Sequence, residues 1–213
     1  MLSLHRALVP RLERYARGSL LDVGCGTMPY RRYLPESVKE YHSLDVEARA
    51  PGVDFIADVG DMTGVKSARY DTVLCTEVME HLPRPERLLR EVDRVLKPGG
   101  HLILTVPYLC RLHEEPFDFY RYTRYGLQHL LEGEGLRVLE ITPTGSVLSF
   151  LGHQFSTIVV GGAWHVPIVR HALFYLNAAV STVPCYWLDQ RLGSRDKFPL
   201  GYVAMAVKEN SRE

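Results

Sequence analysis

The sequence predicts one open α/β domain: a mostly parallel sheet with helices on both faces. Three observations carry that prediction. Apolar segments at 20–23, 41–44, 53–57, 70–75 and 101–106 recur with helical or loop segments between them, the spacing of strand–helix–strand units. The first four run into a glycine, an acid or a polar residue, namely Gly24, Asp45, Asp58 and Thr76, so polar groups converge on the edge where open α/β sheets bind ligands. At 213 residues the chain is long enough for a single well-buried core.

The first segment sets the frame for the others. Leu20-Leu21-Asp22-Val23 runs into Gly24-Cys25-Gly26-Thr27, where two glycines let the backbone bend sharply and approach a ligand. Asp22 precedes that turn and aims a carboxylate into the same space. Before it, Leu4, Leu8, Leu12 and Tyr15 mark a lead-in helix that Pro10 interrupts and Gly18 ends. After it, Pro29 and Pro35 bracket a short helix over 30–34. The second strand, 41–44, ends at Asp45, about 20 positions beyond the glycines, where a doubly wound fold places the carboxylate for a ribose diol.

Pro85 opens a helix whose Leu88, Leu89, Val92, Val95 and Leu96 form one apolar stripe, and Pro98-Gly99-Gly100 closes it. The fifth strand follows at 101–106. Thr123 caps a helix carrying Leu127, Leu130 and Leu131, and strands at 136–141 and 201–208 complete the sheet.

Composition excludes several function classes. Lys+Arg and Asp+Glu both number 25, so no overall positive field gathers nucleic acid, and only a local basic patch stays open. Cys25, Cys75, Cys110 and Cys185 form no Cys-x-x-Cys pair, which argues against a zinc ribbon or a disulfide framework and for a reducing compartment. The first residues lack a continuous apolar run, so no signal peptide is expected and the location is cytoplasmic. Metal is not expected: His113-Glu114 lacks the second histidine of a His-Glu-x-x-His helix, position 117 being Phe117.

With these residues in view, the chain resembles the class I S-adenosylmethionine-dependent methyltransferases, most closely the type 11 methyltransferase domain. The resemblance rests on LLDVGCGT at 20–27, the acid-ended strand at Asp45, Ala57-Asp58, and the stretch 77–107 from Glu77 to Pro107. It implies a Rossmann-like, mostly parallel seven-stranded sheet whose last strand is antiparallel and inserted beside the one before it. It also implies that Gly24, Cys25 and Gly26 pass under the methionine part of S-adenosylmethionine, with Asp22 toward its amino group. Asp45 would take the ribose hydroxyls, Asp58 the adenine amine with Val59 packed beside it, and Thr76 and Glu77 the methionine side, with Val78 and Met79 shaping the pocket. Acceptor side chains at strand ends suit a cofactor with a cationic ammonium, a sulfonium, a diol and an amine. A dinucleotide would need a third glycine against its pyrophosphate, whereas Pro29 and Tyr30 follow here.

Methyl transfer is an in-line displacement, so the enzyme holds the acceptor atom behind the methyl group and excludes water. The loop after the fifth strand carries the catalytic candidates: His113 as general base, and Asp118, Tyr120 and Arg121 to orient an acceptor or pair with a substrate carboxylate or phosphate. A purely structural role for the same residues, fixing the loop, stays open. His81 is read as closing the turn before the helix at Pro85.

Residues 146–200 separate the last two strands by far more chain than a hairpin needs. The methyltransferase domain is thus expected at 1–145 and 201–213, with 146–200 an apolar, helical insertion. Its apolar residues, including Val166, Val169, Leu173, Leu176 and Val183, cover most faces of a helix, while Arg170, Asn177 and Ser181 share one stripe with His171 and Thr182 beside it. Three covers fit it: the protein's own acceptor region, a second copy in a homodimer, or a peripheral membrane contact. Trp164, Tyr175, Tyr186 and Trp187 suit a headgroup level, while Arg170, Asp189, Pro167 and Pro184 interrupt a spanning helix. The expected function is methyl transfer from S-adenosylmethionine, leaving S-adenosylhomocysteine, to a small-molecule or lipid- or glycan-linked acceptor and not to nucleic acid. The alternative is a non-catalytic cofactor-binding or membrane-adaptor protein on the same fold.

Overall fold

The computed structural model describes residues 2–162, 173, 176, 179–180, 183–192 and 197–209. Helix α1, Leu2–Tyr15, leads into β1, Gly18–Val23, followed by β2, Val38–Asp45, β3, Phe55–Ile56, and β4, Tyr70–Thr76. Helix α2, Pro85–Val95, passes directly into β5, Leu96–Pro107, and α3, Arg124–Gly133, precedes β6, Leu136–Thr144. Helices α4, Val147–Gly162, and α5, Val183–Leu192, then come before the last strand, β7, Gly201–Lys208.

The seven strands lie in the order β3-β2-β1-β4-β5-β7-β6. β1 to β5 pair in parallel, and β7 runs antiparallel between β5 and β6. The strand order reverses beside β1, whose neighbours are β2 and β4, and that reversal opens a crevice at the carboxyl edge. One apolar cluster packs α2 and α3 against the sheet through Leu88, Leu89, Val92, Val95, Leu127 and Leu131. The other packs Leu8, Leu12 and Ala16 on the opposite face, against Leu20, Leu74, Ile103, Val203 and Met205.

Several boundaries differ from expectation. Pro10 does not interrupt α1: the buried pair Leu8 and Leu12 holds the helix through it, and Arg11 donates to the Ala7 carbonyl at 2.7 Å. Residues 30–34 make only a 3-10 turn, Arg31–Tyr33, because the two prolines leave too little chain for an α-helix. Pro98-Gly99-Gly100 lies inside β5, whose pairing begins at Leu96 with Tyr70 and shifts register before His101 meets Thr72. β2 starts earlier than its apolar core, at Val38, and β3 shrinks to two residues.

Between β6 and β7, α4 and α5 pack together. Asp189, which by sequence only interrupts an apolar run, is a buried cap: its carboxylate accepts from the Leu148 amide at 3.1 Å, the Ser149 amide at 2.8 Å and the Ser146 hydroxyl. Burial alone would raise its pKa, but these hydrogen bonds outweigh burial and lower it. Leu151, Phe155 and Ile158 on α4 and Trp187 and Leu188 on α5 are exposed. Trp164, Val166, Pro167, Val169, Arg170, His171, Tyr175, Asn177, Ser181 and Thr182 lie outside the described residues. Among the described residues no helix is long and apolar enough to cross a membrane.

Candidate functional site

The glycine turn after β1 does what its residue types require. Gly24 has φ +67°, and a Cβ there would come within 2.4 Å of Val78, so the turn closes against the segment after β4 only as glycine. Gly26, at φ +52°, faces open space: nothing lies within 4 Å of where its Cβ would stand. Asp45, at the end of β2 and 5% exposed, accepts from the Gly26 amide at 2.8 Å. The two strand ends are thereby held together.

Asp22 is buried, and its Oδ2 accepts from the Tyr41 hydroxyl at 2.7 Å while Oδ1 has no hydrogen-bond partner. Burial pushes its pKa up to about 6, against the Tyr41 hydrogen bond and helped by the nearby Asp45 charge. Burial, with Asp22 and Asp45, likewise pushes the Cys25 thiol up to about 11, which keeps it neutral and disfavours a nucleophilic role. Asp58 is exposed after β3, where its Oδ1 accepts from the Gly60 amide at 2.7 Å, and Val59 beside it is buried. Tyr41 escaped the sequence reading because its hydroxyl reaches Asp22 only through the parallel pairing of β1 and β2.

On the far side of the crevice, Glu77 follows Thr76 at φ +53°, a backbone that is strained for a side-chain-bearing residue. Thr105 of β5 holds it twice, accepting from its amide at 3.1 Å and donating to Oε1 at 2.9 Å. Burial raises the Glu77 pKa against the Thr105 hydrogen bond and the His113 and His81 charges. Glu80, three residues on, is completely buried, and neither of its carboxyl oxygens has a hydrogen-bond partner. Burial, and then the charge of Glu77, pushes its pKa up to about 8.

The loop after β5 folds over these acids. Asp118, its side chain 1% exposed, takes both Arg121 guanidinium nitrogens, at 2.5 and 2.6 Å, and the His113 amide at 2.9 Å. The Arg121 hydrogen bonds hold the Asp118 carboxyl far below the usual carboxylate range, against burial. Tyr120 donates to the Pro83 carbonyl at 3.2 Å. His113 approaches the Glu80 carboxylate, Nε2 lying 3.8 Å from Oε1, while the Tyr120 backbone amide donates to the Glu80 carbonyl at 3.3 Å. His81 does more than close a turn: its Nδ1 lies 2.8 Å from the Phe117 carbonyl, fastening the loop to the segment after β4. Met79, expected to shape the pocket, is fully buried in the core instead.

The fold agrees with the comparisons with known proteins. A family model described as a methyltransferase domain matches residues 3–141, more than half of the chain. The chain belongs to the methyltransferase-domain family. This methyltransferase domain is 34% identical over 111 residues to a ubiquinone biosynthesis O-methyltransferase of Xanthomonas euvesicatoria, covering 45% of each chain. It is 32% identical over 124 residues to a human thiol S-methyltransferase, covering 47% of this chain and 48% of that one. The chain thus aligns with under half the length of these curated relatives. Among solved structures, the cyclase SpnF superposes with a TM-score of 0.62 at 23% identity over 95% of this chain and 80% of that one, a likeness of fold.

The residues of the domain fit S-adenosylmethionine. A cationic amino group answers the unpartnered Oδ1 of Asp22, and a diol answers the carboxylate of Asp45, which has acceptor capacity beyond the Gly26 amide. The open space above Gly26 admits a ligand that a side chain would exclude.

One grouping escaped the sequence reading. Glu80, His81 and His113 each offer a ligand atom, all within 4.8 Å of one another. The expectation of no metal tested one helix-borne motif, whereas these groups come from two separate segments. Glu80 stands in the recognised stretch, but adjacency to a tight turn reads as exposure, and its burial depends on the loop that covers it.

Proposed function

We propose that this domain transfers a methyl group from S-adenosylmethionine to the hydroxyl or thiol of a small molecule. The observation that carries the reading is the set of acids gathered at or just beyond the carboxyl ends of adjacent parallel strands: Asp22 of β1, Asp45 of β2 and Glu77 after β4 on the cofactor side, with Glu80 and His113 beyond Glu77. When bound, the cofactor supplies a methyl group on a positively charged sulfur. Asp22 binds its ammonium, Asp45 its ribose hydroxyls and Asp58 its adenine amine, while Gly24, Cys25 and Gly26 form the floor and Val59, Thr76 and Glu77 the walls. His113 and Glu80 border the acceptor's hydroxyl or thiol, and Asp118 and Arg121 position His113 by holding its loop. Tyr120, 40% exposed, stands at the loop's outer face. The printed names of the O- and S-methyltransferase relatives support this acceptor chemistry.

The segment 146–200 is proposed as a cover for the acceptor or a contact with a membrane surface or second copy. The exposed Leu151, Phe155, Ile158 and Trp187 support an apolar or lipid-linked acceptor as a second reading.

The test is turnover. The protein with S-adenosylmethionine and a panel of phenols, catechols and aliphatic thiols is expected to release S-adenosylhomocysteine with at least one class. Tight cofactor binding with no turnover on that panel or on a cell lipid extract would favour a binding or adaptor role.

A pH dependence follows from Asp22. Its folded-state pKa is raised, from 3.8 to about 6, so the apo protein holds a proton that the unfolded chain releases, and this group's contribution to stability falls as pH rises through that window. A bound ammonium favours the ionised carboxylate. S-adenosylhomocysteine should therefore bind about tenfold more weakly at pH 5 than at pH 7, with a plateau above about pH 7. In Asp22→Asn, calorimetry should find weaker binding and no such step.

A further inference from the structure

We propose that Glu80, His81 and His113 form a binding site for one first-row divalent cation, such as Zn2+ or Mn2+, beside the acceptor pocket. Glu80 is wholly buried with both carboxyl oxygens unpartnered, an arrangement that costs free energy unless something not supplied by the protein meets those oxygens. Both histidines turn the same edge to it: His81 Nε2 is 3.6 Å and His113 Nε2 is 3.8 Å from Glu80 Oε1.

The other edge of each ring meets an oxygen acceptor. His81 Nδ1 donates to the Phe117 carbonyl at 2.8 Å, which leaves the lone pair on Nε2. His113 Nδ1 has the Asp118 carboxylate and the Arg111 carbonyl each at 3.4 Å, with Arg121 Nη2 also at 3.4 Å. His81, its outer nitrogen held by a carbonyl and its inner one facing a carboxylate, is arranged as metal-ligating histidines are, and the ring of His113 brings its Nε2 to the same carboxylate.

Direct ion pairing accounts for this less well. Separations of 3.6 and 3.8 Å exceed hydrogen-bond distances, and the two rings stand edge to face with centroids 4.8 Å apart, where two imidazolium ions would repel. Around a cation bound at ~2.1 Å, ligand atoms lie ~3–3.5 Å apart, so the three need only a small inward movement, which the 31%-exposed His113 can make. Two imidazoles with one carboxylate suit a first-row transition metal or zinc better than Mg2+, which prefers oxygen.

Three protein ligands leave coordination positions open. On the methyl-transfer reading, on which this consequence rests, an acceptor hydroxyl or thiol bound there would lose its proton to solvent more readily. Its oxygen or sulfur lone pair would then form the bond to the methyl carbon as the carbon–sulfonium bond breaks and its electrons return to sulfur.

The test uses the whole chain, freed of metal by dialysis against a chelator, then titrated with CoCl2 and ZnCl2 by calorimetry and by Co2+ visible absorption. One equivalent should bind, with a ligand-field band, and Glu80→Gln and His113→Ala should each weaken binding at least tenfold while still binding S-adenosylhomocysteine. Circular dichroism checks folding, and the loop variant His113→Ala keeps the test decisive if Glu80→Gln misfolds. Absence of one-to-one binding by folded wild type, or unchanged affinity in the folded variants, would overturn the proposal. Titration with S-adenosylhomocysteine separates the two readings: Co2+ binding without it would leave the cation site standing and the cofactor assignment fallen.

Discussion

Asp45→Ala is expected to weaken binding of S-adenosylhomocysteine at least tenfold, with NAD as a control that binds neither protein. Two effects add. The substitution removes the buried carboxylate proposed to accept from the ribose hydroxyls, and hydrogen bonds to a charged group are worth about 1.5–3 kcal/mol each. It also releases the Gly26 amide, now held at 2.8 Å, so the glycine turn keeps its Gly24 and Cys25 amide bonds to the Leu44 carbonyl but loses its side-chain tie to the end of β2. Asp45→Asn separates the two: it keeps an acceptor for the Gly26 amide while removing the charge, and should fall between Ala and wild type. Equal affinity in wild type and Asp45→Ala would remove this residue from the cofactor site.

Arg121→Ala should loosen the loop over the acceptor side while sparing the cofactor side. Asp118 is 1% exposed at its side chain and spends both oxygens on Arg121, one of them also on the His113 amide. Without the guanidinium, a nearly inaccessible carboxylate loses its charge partner, at a cost of about 1–3 kcal/mol for this loop-surface pair. Because the Asp118 pKa is lowered in the folded protein, the pair's contribution is fully present above the unfolded value of 3.8 and fades as pH falls below it. The readouts are earlier proteolytic cleavage within 108–123, a lower melting temperature above pH 5 that converges with wild type on acidification, and turnover reduced at least tenfold. S-adenosylhomocysteine affinity should change less than threefold. A comparable loss of cofactor affinity would mean that the pair supports the whole crevice rather than the His113 loop.

Much of the proposed cofactor side is legible in the sequence because it is local. A glycine turn after an apolar strand, and acids at the ends of the next two strands, are patterns of spacing, and parallel pairing brings strand ends to one edge whatever the details of packing. Boundaries were less legible. Pro10 stays inside α1 because Leu8 and Leu12 bury against the sheet, and β5 begins at Leu96 because Tyr70 offers it a partner. Those are gains from long-range contacts that a local propensity does not contain.

The acceptor side depended on tertiary structure almost entirely. His113 was singled out by its chemistry, but whether it faces Glu80, solvent or a backbone carbonyl depends on where Asp118 and Arg121 anchor a loop that has no periodicity to read. Glu80 and His81 stand in an easily recognised stretch, and their convergence with His113 joins positions more than thirty residues apart. Asp189 likewise read as an interruption of an apolar run and proved to cap α4. By itself, then, the sequence determined the sheet, the glycine turn and the acids aligned along its carboxyl edge, because strand period and turn chemistry are short-range. Tertiary structure decided which of the polar residues in the covering loop hold one another and which face the crevice, because burial and pairing between distant segments are settled only when those segments pack.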